Sequence, residues 1–267
     1  MVRGAKFMIP KIIHYCWFGG EKPADVKEYI DGWRKLCPDF EIIEWNEKNF
    51  DINAYDYSRD AYKEKKWAFV SDFVRFCVLD EHGGIYLDTD VELVKSLEPL
   101  CSEKCYVGYE AQGVGSAIIA CEPHNEIIHA ITETYKKSSF YLPDGSLNLL
   151  TSPDYINNEI TPKGFEREDK LQRIPGLTVF PSEWFYPYNL KTFTIESTSN
   201  TVSIHHFAGS WLDEKAIIQL EIQKHFKWFP VRRLVIWFSV AVAELKTGGI
   251  TGLLRAIKRR KNRDSVC

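Results

Sequence analysis

The stretch from Lys66 to Val94 constrains the fold more than any other part of the chain. Apolar and polar side chains recur at helical spacing from Ala68 to Leu79, which predicts a helix. The pair Gly83–Gly84 is suited to end it, because glycine adopts the left-handed conformation without strain. Residues 85–87 then predict a short buried strand, followed at once by two aspartates. Charged groups at a strand end are typical of α/β folds, which bind ligands there.

The two aspartates, Asp88 and Asp90, are separated by one residue. A pair of carboxylates with this spacing can hold a hard divalent cation and leave positions open for diphosphate oxygens. Asp72 and Arg75 are three residues apart on the preceding helix, so they share a face and can pair with each other or grip hydroxyl groups. Each pair alone is common on protein surfaces. Their combination at this spacing predicts a functional site.

The segment SDFVRFCVLDEHGGIYLDTDVE, residues 71–92, resembles the signature of the sugar-binding Asp-x-Asp glycosyltransferases. These include mannosyltransferases and many bacterial capsular polysaccharide transferases, and the glucosylating domains of large clostridial toxins are distant relatives. A weaker likeness extends from Ile9 to Trp211. The resemblance implies a GT-A fold, which is a Rossmann-like, mostly parallel sheet with flanking helices. It also implies a nucleotide-sugar donor, Mn²⁺ or Mg²⁺, and retention of the anomeric configuration.

The resemblance also implies roles for individual residues. The expected catalytic residues are Asp72, Arg75, Asp88 and Asp90; the expected donor contacts are Trp17, Asp72, Arg75, Tyr86, Asp88, Thr89, Ser210 and Trp211; the expected metal ligands are Asp88, Asp90 and His205. Trp17 would lie against the nucleotide base, although packing in the core is an alternative. The match to a His-x-x-x-x-Ser-Trp pattern favours His205 over His206 as the ligand. Ser210 and Trp211 would close over the diphosphate.

The beginning of the chain reads as a strand, a helix and a second strand. A strand is predicted over residues 8–18, an amphipathic helix over 25–36 and a strand over 41–45. This alternation is typical of the opening of a parallel sheet. The chain lacks a Gly-x-Gly-x-x-Gly motif, so a dinucleotide site is not supported.

Three later segments allow two interpretations each. The loop from Glu110 to Gly115 either faces the donor or acceptor or simply connects two strands. Ser152 is predicted as the N-cap of a helix with Pro153 at its first position. A related Thr-Gly-Pro segment lies near the acceptor in the resembling proteins, but Ser152 replaces the glycine here. The aromatic segment 179–187 forms either a sugar-stacking platform or buried packing.

Charge is distributed unevenly along the chain. Residues 224–264 carry eleven Lys/Arg and two Asp/Glu, whereas the whole chain has 34 and 37 and a net charge of −3. We therefore expect a domain over 1–213 and a basic helical segment over 214–267 that meets an anionic membrane surface. The apolar run Leu234–Ala243 has ten residues, short of the ~20 that span a bilayer. Nucleic acid is not expected as a partner, because no recognised binding motif accompanies the charge.

The sequence as a whole predicts a metal-dependent, retaining hexosyltransferase. UDP-hexose is the favoured donor and GDP-mannose is possible. The expected acceptor is a saccharide, lipid-linked, in bacterial capsular or surface polysaccharide synthesis. Seven scattered cysteines, including Cys101 and Cys105, predict free thiols and, together with the lack of a signal peptide, a cytoplasmic protein on the inner face of the membrane. The alternatives are a haloacid-dehalogenase-like phosphatase with Asp88 as nucleophile and a carbohydrate-binding protein without catalysis.

Overall fold

A computed structural model describes residues 9–111, 113–189, 192–208, 214–226 and 232–264. The chain forms two compact units. The first comprises Met1–Tyr188 and Ile195–Phe207, and the second comprises Asn189–Thr194 and Ala208–Cys267.

The helices are α1 (Ala24–Leu36), α2 (Asp56–Lys63), α3 (Trp67–His82), α4 (Glu126–Lys136), α5 (Ser152–Ile160), α6 (Ser182–Phe185), α7 (Glu214–His225) and α8 (Arg232–Asp264). The strands are β1 (Ile12–Cys16), β2 (Glu41–Trp45), β3 (Gly84–Leu87), β4 (Val91–Leu93), β5 (Cys105–Glu110), β6 (Gly113–Cys121), β7 (Gln172–Ile174), β8 (Leu177–Phe180), β9 (Tyr188–Asn189), β10 (Thr194–Ile195) and β11 (Ser203–His205).

The first unit is built on a sheet to which seven strands contribute among the described residues, in the order β2-β1-β3-β6-β5-β8-β7. β1 is parallel to β2 and to β3, and β5 is parallel to β8. β6 is antiparallel to both of its neighbours, and β7 is antiparallel to β8. Strands β6 and β7 therefore run against the other five. The sheet is therefore mixed, and the prediction of a mostly parallel sheet with flanking helices is confirmed.

Two hydrophobic cores cover the two faces of the sheet. Side chains alternate between the faces of a strand, so Ile85 and Leu87 of β3 enter one core and Tyr86 enters the other. On the first face α1 contributes Trp33, and on the second α3 contributes Phe73; both are fully buried. The described cysteines are free thiols, as predicted, and all but one of them are buried.

The junction between α3 and β3 requires its two glycines. Gly83 and Gly84 have φ angles of 64° and 97°, which side chains disfavour. A Cβ on Gly84 would also lie 2.9 Å from Nε2 of His14 in β1. That Nε2 lies 2.9 Å from the Gly83 carbonyl oxygen, and Nδ1 of His14 accepts a hydrogen bond from Trp45 at 3.0 Å. These contacts connect the first two strands to the start of β3, from which the aspartates follow.

The aromatic segment 179–187 packs inward. Phe180, Phe185 and Tyr186 are 4%, 0% and 6% exposed and belong to one core. Of the two interpretations of this segment, buried packing is therefore the correct one for these three side chains.

The second unit contains α7 and α8. Lys215 of α7 forms an ion pair with Glu244 of α8 at 3.0 Å, and Gln223 donates a hydrogen bond to Ser239 at 3.2 Å. α8 consists of two helical arms that meet at Gly249, whose φ of 59° and ψ of −158° are not helical.

The ten-residue apolar run of α8 lies inside a longer hydrophobic window. This window, Leu234–Leu254, has 21 residues and a mean hydropathy of 1.4. Judged by length and composition alone, this helix of the described chain could cross a membrane. The ten-residue run Leu234–Ala243 forms the first part of this window, which continues through Glu244 and Lys246. Core helices of soluble proteins meet the same criteria, and here the break at Gly249 divides the window.

Candidate active site

Asp88 and Asp90 lie immediately beyond β3, in a turn that the neighbouring strand holds in place. The Asp88 amide donates to the Ala117 carbonyl of β6 at 2.8 Å, and its own carbonyl accepts from the Val91 amide at 3.1 Å. β4 then pairs antiparallel with β11, and Val91 is opposite His205 in this register. A residue more than a hundred positions away is thus delivered beside the aspartates by a short strand pair.

Asp88, Asp90 and His205 each contribute an oxygen or nitrogen atom to a group in which these atoms lie within 4.8 Å of one another. Nε2 of His205 is 3.3 Å from Oδ1 of Asp90, and Nδ1 of His205 is buried without a hydrogen-bond partner among the described residues. Two carboxylates and an imidazole with an unsatisfied nitrogen are a donor set that fits Mg²⁺ or Mn²⁺. The predicted ligands therefore come together.

The electrostatics of this group are those of clustered carboxylates. Burial raises the pKa of Asp88, Arg75 opposes that effect, and Asp90 adds to it. Burial alone would lower the pKa of His205, but the hydrogen bond and charge of Asp90 and the charge of Asp88 raise it. A bound divalent cation would remove the repulsion between the carboxylates.

His206 points away from the carboxylate pair. Its Nε2 lies 2.8 Å from Oε2 of Glu92, and its ring stacks on Tyr29 with centroids 5.3 Å apart. Only its backbone serves the site, because its amide donates to the Asp90 carbonyl at 3.0 Å. Of the two adjacent histidines, His205 is the one whose side chain reaches the aspartates.

Arg75 is buried in the centre of the site. One of its guanidinium nitrogens lies 2.7 Å from Asp72 and 3.2 Å from Asp88, and another donates to the Ser116 carbonyl at 2.8 Å. The guanidinium also covers the ring of Tyr86, 4.5 Å from its centroid. Burial opposes its charge, but the adjacent carboxylates prevail and raise its pKa further. The predicted pairing of Asp72 with Arg75 is confirmed, and Arg75 also connects this pair to Asp88.

Asp72 is held from its other side by the start of α5. It accepts a hydrogen bond from the Ser152 amide at 3.1 Å and another from the Ser152 hydroxyl. The N-cap of this helix is Thr151, which forms a capping box with Asp154. The prediction of Ser152 as N-cap and Pro153 as first residue is thus displaced by one position. Ser152 binds the site carboxylate instead, and the cap is supplied by the residue before it.

The remaining predicted donor contacts differ in accessibility. Tyr86 is 1% exposed, and its hydroxyl donates to Asp88 at 3.1 Å. Thr89 is partly buried between the two aspartates. Trp17 follows β1, packs partly buried against a core and donates its indole N–H to the Gly20 carbonyl at 2.9 Å. Ser210 and Trp211 lie outside the described residues.

Glu110 is an ionisable residue of the site for which the sequence predicts no individual role. Glu110 at the end of β5 is partly buried, and the charges of His205, Asp88 and Asp90 act on its carboxyl group. Burial is the largest cause that raises its pKa. The sequence could have indicated a role through the position of Glu110 at the start of segment 110–115, which was expected either to face the substrates or to connect two strands. A carboxylate before a glycine-rich loop is also common in plain hairpins, so the signal is weak.

The mixed sheet with flanking helices and the carboxylate pair at a strand end are those of the GT-A architecture. The family model described as a glycosyltransferase sugar-binding region containing the DXD motif matches residues 23–107. Inositol phosphoceramide mannosyltransferase 2 of Schizosaccharomyces pombe is 30% identical over 243 residues, which cover 88% of this chain and 67% of the relative. The chain therefore belongs to the family of DXD glycosyltransferases.

Other matches extend over much of the chain. Mannosyl phosphorylinositol ceramide synthase CSH1 of Saccharomyces cerevisiae is 24% identical over 247 residues, covering 89% of this chain and 62% of the relative. Among solved structures, the UDP-bound glycosyltransferase domain from the YGT toxin is 12% identical with a TM-score of 0.49, covering 90% of this chain and 91% of that chain. The chain thus spans about two thirds of the curated relatives named here. The family assignment removes the phosphatase alternative.

Proposed function

We propose that this glycosyltransferase transfers a hexosyl group from a nucleotide sugar with retention of configuration, using Mn²⁺ or Mg²⁺ held by Asp88, Asp90 and His205. The observation that carries the proposal is the convergence of these three ligand atoms within 4.8 Å at a strand end of a chain that belongs to this family. The cation, when bound, neutralises charge on the leaving diphosphate.

The chain's own residues would orient the reactants. Tyr86 donates to Asp88 and Arg75 pairs with it, so this carboxylate has one fixed orientation. Asp72 is fixed in the same way by Ser152, which supports a role for Asp72 and Arg75 in orienting the donor sugar. We favour attack by the acceptor hydroxyl on the face that the leaving group vacates.

The donor sugar is proposed from the names of the relatives. The two curated relatives that match over most of this chain are named for mannosyl transfer, which supports a mannosyl donor such as GDP-mannose. UDP-hexose, favoured by the sequence analysis, is the second candidate.

A lipid acceptor at a membrane is supported by two observations. The same relatives are named for inositol phosphoceramide acceptors or products. In the second unit Trp237, Phe238 and Leu254 are 37%, 48% and 59% exposed, within a segment rich in Lys and Arg. Exposed apolar groups with basic neighbours bind anionic membrane surfaces. We propose peripheral attachment on the cytoplasmic side, and a capsular or surface polysaccharide in bacteria as the second candidate acceptor.

The decisive experiment follows free nucleotide during incubation of the purified chain with GDP-mannose, UDP-hexoses and CMP-sugars, with Mn²⁺, with Mg²⁺ or with EDTA. We expect hydrolysis of one donor that requires the cation and is lost in Asp90→Asn. Glu92→Gln, a matched change on the adjacent strand β4, should retain it. If calorimetry detected no nucleotide-sugar binding with or without Mn²⁺, the proposed function would fail.

The membrane proposal has a separate test. We expect the chain to sediment with vesicles that contain phosphatidylserine and not with neutral phosphatidylcholine vesicles. Trp237→Asp should weaken this binding, while Leu171→Asp should not, because Leu171 is even more exposed, at 51% against 37%, but belongs to the first unit. Equal sedimentation of both variants would contradict the assignment of the surface to the second unit.

A further inference from the structure

The carboxylate of Glu110 lies against β6, the strand that Arg75 and Asp88 also contact. Consecutive residues of β6 bind these groups: Ser116 accepts from Arg75, and the Ala117 carbonyl accepts from the Asp88 amide. Gly115 precedes them, and a Cβ at that position would overlap Oε2 of Glu110. The Glu110 carboxylate therefore occupies the space over Gly115, one residue from the strand position that binds Arg75.

Tyr186, a member of one hydrophobic core, lies beside this carboxylate. A Cβ on Gly115 would also lie 2.5 Å from Cζ of Tyr186, so the tyrosine ring and the Glu110 carboxylate share the surface of this glycine. The tyrosine hydroxyl accepts from the Ile118 amide at 3.3 Å, and its ring meets that of His205 edge-on with centroids 5.9 Å apart. Glu110 is thus on the same side of β6 as the candidate metal ligands.

The backbone around Glu110 departs from regular strand geometry. The register between β5 and β6 shifts between Val107 and Tyr109, and Glu110 then pairs with Gly113. Ala111 follows with a φ of 54°, which costs a non-glycine residue ~1 kcal/mol. Such irregularities redirect side chains and recur next to functional sites. The redirected side chain here is a carboxylate.

This carboxylate makes no hydrogen bond or ion pair with another described residue. It is also not one of the three groups whose ligand atoms lie within 4.8 Å of one another, yet their charges act on it. A partly buried carboxylate is costly without donors. A diphosphate would repel it, whereas the hydroxyl groups of a neutral sugar supply the O–H donors that it lacks.

We propose that Glu110 is a substrate-binding residue whose carboxylate accepts hydrogen bonds from hydroxyl groups of the transferred sugar. The inference rests on the proposed function and deepens it. The site then has two parts: Asp88, Asp90 and His205 serve the diphosphate through the cation, and Glu110 serves the neutral, hydroxyl-bearing part of the donor. Glu110 would contribute to the affinity for the sugar and not to that for the nucleotide.

The test compares a nucleoside diphosphate with its sugar conjugate by calorimetry on the full chain with Mn²⁺: GDP against GDP-mannose, and UDP against UDP-glucose. In Glu110→Ala we expect the conjugate to bind at least about 10-fold more weakly, which is the smallest loss expected when a hydrogen bond to a charged group is removed. The affinity for the bare diphosphate should change less than about two-fold. Glu110→Gln keeps the shape and one acceptor oxygen, so it should fall between the wild type and Glu110→Ala.

Glu122→Gln at the far end of the same hairpin is the matched control and should leave both affinities unchanged. Equal weakening of diphosphate and conjugate in Glu110→Ala would overturn the inference and assign Glu110 a structural role at the metal ligands. Unchanged affinities would overturn it as well. If the wild type bound neither compound of either pair, the proposed function itself would fail, and that result differs from both.

Discussion

Two histidines at opposite ends of β3 show how one residue type serves two purposes in this chain. His14 lies near the start of the strand, fully buried, with both ring nitrogens engaged by Gly83 and Trp45. His205 lies beyond the end of the strand, beside Asp90, with Nδ1 unsatisfied among described residues. Burial lowers the pKa of His14 to about 4, whereas nearby carboxylates raise that of His205.

The difference teaches which contacts distinguish a structural histidine from a candidate ligand. A ring with two fixed neutral partners has one tautomer and no free lone pair. The ring of His205 lies beside two carboxylates and has no such pair of fixed neutral partners among the described residues, so it is the one suited to bind a cation. Removing His14 should therefore reduce stability, and removing the His205 group should reduce function.

The largest effect is expected from Asp90→Asn. The change preserves the side-chain shape but removes a charged ligand, so donor hydrolysis should fall by more than the about 100-fold typical of losing an outer partner of a metal. The melting temperature should change little. Turnover with a range of Mn²⁺ concentrations measures the effect, and a variant that kept wild-type turnover at every concentration would refute the assignment of Asp90 as a ligand.

The two adjacent histidines provide the second test. His205→Asn should lower turnover by at least about 10-fold, because it removes the nitrogen ligand, and losing a ligand should cost no less than losing one of its outer partners. His206→Asn should lower it by less than about three-fold, since that ring contacts Glu92 and Tyr29 instead. Parallel assays of the two variants decide the matter. If both variants lost turnover equally, the substitutions would have disturbed the pairing of β4 with β11 and would not have identified a metal ligand.

Most of the fold could be predicted because its signals are local. The glycine pair, the strand before the aspartates and the periodicity of α1 each act within a few residues, and β2 has the predicted bounds, Glu41–Trp45. The approach of Asp72 to Arg75 also follows from helical spacing. Such features do not depend on which distant segments come together.

What the sequence could not show depends on contacts between distant segments. His205 was predicted by resemblance to a motif, but its opposition to Val91 follows only from the pairing of β4 with β11. Glu110 gains its surroundings from a register shift that has no sequence signature. Ser152 was predicted as a cap because its hydroxyl is a good N-cap group, but the buried carboxylate of Asp72 binds it instead.

At the other end of β3, His14→Gln should reduce the free energy of unfolding by ~2–3 kcal/mol, because the substitution disturbs two buried hydrogen bonds. Denaturant unfolding followed by tryptophan fluorescence measures this loss. Trp45→Phe removes one of the two partners and should cost less, and the double variant should show coupling between the two sites. Additive effects would indicate that the bond between Trp45 and His14 contributes nothing.

The pH dependence of stability gives the smallest and most specific prediction. The pKa of His14 is lower in the folded chain, about 4 against an ordinary 6.5, so the unfolded chain binds the proton more readily. Burial is the main cause, and the neighbouring ring of His82, 6.1 Å away, adds to it when charged. This contribution to stability is complete above about pH 6.5 and declines as the pH falls toward 4, by ~2 kcal/mol between pH 7 and 5.

Other groups also contribute to the pH dependence, including His205, whose pKa is raised in the folded chain. Its contribution has the opposite sign, because it is complete below the unfolded pKa and is lost as the pH rises through the folded pKa. The wild type and His14→Gln should therefore be compared at each pH, since the shared groups cancel in the difference. We expect the stability gap between them to be largest at pH 7 and to narrow toward pH 5. A gap that stayed constant would mean that His14 keeps its ordinary pKa in the folded chain, and the contrast with His205 would then rest on their hydrogen bonds alone.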